Sequence, residues 1–106
     1  MIQTIANPLV AMKNFVNVYT GQIKPSLEKG DYEGAGVLVL GEVTAGTMAI
    51  SDISDIDLAI RHREYTHYAF ALQLLAGLKD AARGETWNRK LKMINRHVLE
   101  LSELLK

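Results

Sequence analysis

The sequence predicts an all-α protein, a small bundle of about four helices forming one domain over residues 1–106, and three observations carry that expectation. Apolar side chains recur at three- and four-residue spacing along most of the chain, which sets them on one face of a helix. Cap residues and glycines punctuate the gaps between these stretches. A composition of 48% apolar and 23% charged residues is that of a folding chain, since disordered chains hold too few apolar groups to offset the entropy of ordering.

The first helix is expected to start at Asn7-Pro8, because asparagine caps free amides and proline has no amide to leave unpaired. Leu9, Met12, Val16, Tyr19 and Ile23 form its apolar stripe, with Phe15 beside them. Gly21 is expected to fray its end and Pro25 to close it. Residues 24–36 then read as a connection with one short turn near Ser26–Lys29.

The segment that follows supports two readings. Asp31 would cap a helix from Tyr32 to about Ile50, with Val39, Val43 and Ile50 in line and Gly34, Gly41 and Ala45 as a small-residue face. Its glycines each cost up to ~1 kcal/mol in a helix, and residues 36–50 also fit a short β-hairpin, which would make the fold α+β. The helix is the preferred reading.

Ser51, Asp52, Ser54 and Asp55 break the chain before a long helix expected to reach about Ala82. Ile56, Ile60, Phe70, Leu74 and Leu78 would line one side of it, and Leu58, Tyr65, Tyr68, Leu72 and Ala76 the other, so this helix should be central. Arg83-Gly84 ends it. In the last helix Trp87, Leu91, Ile94, Val98, Leu101 and Leu105 fall within about 40° of one line, a narrow seam suited to an antiparallel helix partner. Met93, Leu99 and Leu104 lie off that seam.

With no cysteine, the chain has no disulfide framework, thiolate nucleophile or cysteine-bound zinc. The start lacks the basic cluster and apolar run of a secretory signal. The stretch 34–50 reads as too short for a bilayer and as core material. A cytoplasmic protein without membrane contact is therefore expected.

Formal charge sums to zero but is unevenly placed. Residues 26–60 carry seven acids against one lysine, and residues 61–97 carry eight bases against three acids. Mutual packing of the two segments is the simpler consequence; opposite patches for partners is the other.

Functional side chains are densest at 61–68. Arg61, Arg63, Glu64, His67 and Tyr68 are the candidates for an anion or small-ligand site, because the guanidinium fork fits carboxylate and phosphate oxygens. The competing explanation is a structural network, with Arg61 or Arg63 paired to acids at 52–57, Glu33 or Glu42. Glu64 and His67 are half of a two-metal bundle motif whose other half is missing, and His97 has only Glu100 nearby in sequence, so no metal and no cofactor is expected. No nucleophile elbow or phosphate loop occurs, so no catalytic residue is assigned. Arg89, Lys92 and Arg96, with Arg83 before them, form a basic ridge that would follow a nucleic-acid backbone, although Glu100 and Glu103 continue the same face.

These readings favour a non-catalytic protein–protein interaction module, a small adaptor, regulator or inhibitor, that self-associates and also meets a protein partner. Leu58, Tyr65, Leu72, Met93 and Leu99 are the expected oligomer contacts. The alternatives are a nucleic-acid-binding module using the ridge and a small-ligand or enzyme site at 61–68.

Overall fold

The computed structural model describes residues 8–81 and 84–106, and among them every regular element is helical. Helix α1 spans Pro8–Val18 and passes through a single π turn, Tyr19–Ile23, into α2, Lys24–Glu28. Long helices α3 (Tyr32–Ser51), α5 (His62–Leu78) and α6 (Glu85–Leu104) follow, with the short α4 (Asp55–Ile60) between α3 and α5. The expected all-α bundle is what forms, and the hairpin alternative is not. The Asn7 cap lies outside the described residues.

Pro25 does not stop the first rod. It falls in the first turn of α2, the position at which a helix best tolerates proline. The rod ends at Gly30 instead, at φ +77°. There the Gly30 amide donates to the Leu27 carbonyl at 2.9 Å and the Asp31 amide to the Ser26 carbonyl at 2.9 Å, the paired closure that favours glycine in the left-handed region. Asp31 then starts α3 as expected, its carboxylate accepting from the Gly34 amide at 2.8 Å.

The expected α3 line of Tyr32, Val39, Val43 and Ile50 packs on the core, but the expected small-residue face does not. Ala35, Val39, Gly46 and Ala49 are buried, while Gly34, Gly41 and Ala45 are exposed. The reason is contact with α5, whose Leu72 and Tyr68 side chains reach the bare backbone at Gly46. Twenty residues long, α3 also corrects the view that this stretch is too short for a bilayer: by length and composition it could cross one, and only 22% of its most apolar window is buried in the fold.

The long helix expected at 55–82 is two helices. Arg61, at φ −114° and ψ 31°, leaves helical geometry between α4 and α5. Ser54 caps α4 by accepting from the Asp57 amide at 3.1 Å. The break turns α4 away from the core, so Ile56 and Ile60 are exposed. α5 ends at Leu78, and Ala82 lies outside the described residues. Freed from α4, α5 packs against both α3 and α6 and turns Tyr65, Tyr68, Ala71, Leu72, Leu75 and Leu78 into the core.

The α6 seam forms as its spacing requires: Trp87, Leu91, Ile94, Val98 and Leu101 are all buried, and Leu105 packs at the edge. Truncating a fully buried member such as Ile94 or Leu101 to alanine would cost about 2–5 kcal/mol. Met12, Phe15, Tyr19, Ile23 and Leu27 from the first rod complete the core. Tyr19 donates its hydroxyl to the Asn95 side chain on α6, and Tyr32 meets Trp87 edge-on at 6.3 Å, tying both ends of the bundle to that helix.

Candidate functional site

The structure separates most of the residues grouped at 61–68. Arg61 pairs with Glu64 one turn on, at 3.4 Å, and not with the expected acids at 52–57, Glu33 or Glu42. Arg63 is exposed and, among the described residues, makes no ion pair. Tyr68 is fully buried beneath α3, its hydroxyl unpartnered and its pKa pushed well up by burial and by the nearby Glu42 carboxylate. It lies in the core and cannot wall an anion pocket.

His67 takes another direction. It sits on the α5 face turned to α6 and meets His97, with the two Nδ1 atoms 3.0 Å apart. Its Nε2 lies 3.3 Å from a carboxylate oxygen of Glu100. The chain of contacts is consistent with Nε2–H of His67 donating to Glu100, leaving its Nδ1 to accept from Nδ1–H of His97. One donor atom each from His67, His97 and Glu100 falls within 4.8 Å of the others. His67 and His97 are half-buried and Glu100 is exposed, so the group is open to solvent on one side.

Burial lowers the His97 pKa from the usual histidine value; His67 and Arg96 push the same way and Glu100 opposes. Phe70 stacks on the His97 ring at 5.4 Å and 21°. That ring also borders a surface cavity of about 420 Å³ lined with Phe70, Gln73, Leu74, Lys90 and Met93. Two imidazoles, a carboxylate and an apolar recess therefore share one stretch of the α5/α6 groove.

His67 and His97 are 30 residues apart, so spacing along the chain does not join them. A signal was present nonetheless. His67 stands eleven residues before Leu78 and His97 twelve after Glu85, so antiparallel helices leaving the 79–84 connection bring them level. His97 and Glu100, three apart, share a helix face. Glu64, the expected companion of His67, is engaged by Arg61 instead.

The basic ridge is exposed along α6 at Arg89, Lys92 and Arg96, while Arg83 lies outside the described residues. Arg89 is engaged by Glu85 at 3.1 Å. Among the described residues the Lys and Arg ion pairs are local to one helix turn, so none joins the acidic middle of the chain to its basic stretch. Of the expected oligomer contacts, Tyr65 and Leu72 are consumed by the core because α5 is covered by both α3 and α6. Leu58, Met93 and Leu99 are exposed.

Comparison with protein-family models, with curated proteins and with solved structures finds no match.

Proposed function

We propose that this chain is a non-catalytic interaction module that works as a homo-oligomer, with the outer face of α3 as its self-association surface. The observation that carries this reading is the uncovered stripe Val37, Leu40, Gly41, Thr44 and Met48. Val37, Leu40 and Met48 are 85%, 69% and 60% exposed. The stripe runs about 16 Å along the helix and carries no charged side chain between Glu33 and its C-terminal end. An apolar strip of this kind is costly to leave in water.

Charge favours a second protein copy over a lipid surface. Asp31 and Glu33 flank one end of α3, and Asp52, Asp55 and Asp57 the other, with Lys29 the nearby base. Anionic headgroups would be repelled by such flanks, and interfacial helices usually carry basic ones. Gly41 and Ala45 leave the α3 backbone accessible to close helix packing. The exposed ridge of α6 supplies a second, polar surface for a larger partner.

Native mass spectrometry and light scattering on untagged protein test the reading. A dimer or higher species at micromolar concentration is the expected result; a monomer that floats with lipid vesicles would replace it with a membrane-surface role.

A further inference from the structure

We propose that His67, His97 and Glu100 form a binding site for a divalent transition ion of the zinc type. The argument starts from the donors. Two imidazole nitrogens and a carboxylate oxygen make a borderline N/N/O set, which suits zinc and its first-row neighbours and does not suit calcium or magnesium, whose ligands are oxygens. The three come from two helices clamped together by the buried α6 seam, so their backbones are fixed before any ion arrives.

The distances are close to what an ion needs. Metal–nitrogen bonds of about 2.0–2.1 Å in tetrahedral geometry place ligand atoms about 3.4 Å apart. The Nδ1 atoms of His67 and His97 are 3.0 Å apart, and the whole donor set fits within 4.8 Å. Glu100 now faces Nε2 of His67, and its exposed carboxylate would turn from that contact toward the ion. The ion would replace the proton now shared between two imidazoles and exchange the His67–Glu100 contact for two bonds to one centre.

Surroundings add to the case. The two imidazole rings meet through their Nδ1 atoms, so one nitrogen of each already faces a common point between α5 and α6. Phe70 fixes the plane of the His97 ring by stacking. With three protein ligands a fourth position stays open to water or to a small ligand held in the recess beside Phe70 and Met93, which is the pattern of reactive rather than purely structural zinc sites.

The test uses untagged full-length protein titrated with Zn²⁺ and with Co²⁺. The expected result is saturable uptake of one ion per chain, visible absorption of tetrahedral Co²⁺, and shifts in the imidazole ¹⁵N signals of His67 and His97 with His62 unmoved. His67→Ala and His97→Ala should each weaken binding by at least about 100-fold, Glu100→Gln by about 10-fold or more, and His62→Ala not at all. Circular dichroism confirms that each variant is folded; should one unfold, the ¹⁵N shifts of the wild-type protein decide. Absence of saturable binding, or binding that survives loss of both His67 and His97 or moves His62 instead, overturns the proposal.

Discussion

Gly46 of α3 lies directly against the Leu72 side chain of α5, leaving no room for a β-carbon, which would also stand 2.8 Å from the Tyr68 hydroxyl. Both neighbours are buried. Gly46→Ala should therefore destabilise the protein by about 1–3 kcal/mol through overpacking, despite alanine's better helix propensity. Gly36, on the same helix but off the self-association stripe and with open space around it, should behave oppositely, Gly36→Ala adding up to ~1 kcal/mol. Urea denaturation of the two variants measures both signs.

Two buried tyrosines should respond in opposite ways to loss of the hydroxyl. Tyr19 gives its proton to Asn95, while that of Tyr68 has no partner. Tyr19→Phe should cost about 1 kcal/mol and Tyr68→Phe should be neutral or stabilising by a similar amount. Thermal melts of the pair suffice.

Burial raises the Glu42 carboxyl pKa above the ordinary carboxylate range. The folded chain then holds this proton more tightly than the unfolded chain. Glu42 therefore withdraws stability as pH climbs from the unfolded carboxylate value through the raised folded one, and the loss stays constant above it. Glu42→Gln should remove that loss. Its advantage over wild type should grow from pH 4 to pH 7 in denaturation experiments, and a constant difference would contradict the assignment.

Charges placed on the α3 stripe should dissociate the oligomer without unfolding it. Val37→Lys combined with Leu40→Glu alters two exposed positions and should weaken association by at least about tenfold, ~1.4 kcal/mol. Light scattering across a dilution series reads the change. Leu99→Glu, on α6, is the control and should leave assembly intact.

If the α6 ridge serves a protein partner, nucleic acid should bind weakly and without dependence on it. Reversing the charge of Arg89, Lys92 and Arg96 together should then leave binding to short DNA and RNA duplexes unchanged. A marked loss, with a shallower salt dependence, would favour the nucleic-acid reading.

Legibility in the sequence followed the strength of the periodic signal. The α6 seam was readable because a helix with one apolar and one charged face has a single way to dock, and the Asp31 cap of α3 because a carboxylate three residues before a free amide has a local reason to be there. α3 itself was harder. Its line of Tyr32, Val39, Val43 and Ile50 is legible and packs, but the choice of Gly46 as the close-contact glycine was decided by where Leu72 and Tyr68 arrived from α5. The break at Arg61 carries neither proline nor glycine, and local spacing across it stays helical. The histidine pair lay hidden for a related reason: proximity between helices is a property of their pairing, which spacing within either one does not express.

The π turn at Tyr19–Ile23 has a consequence for how the first rod keeps its phase. Phe15, Tyr19, Ile23 and Leu27 are spaced by fours, and all are buried. On an unbroken α-helix, steps of four drift by about 40° each, so the stripe would wind by about 120° from Phe15 to Leu27 and leave the core at one end. One wider turn absorbs part of that winding. The segment thus acts as a vernier between sequence spacing and helix pitch, allowing one continuous run of helix, proline included, to keep Phe15, Tyr19, Ile23 and Leu27 on the core.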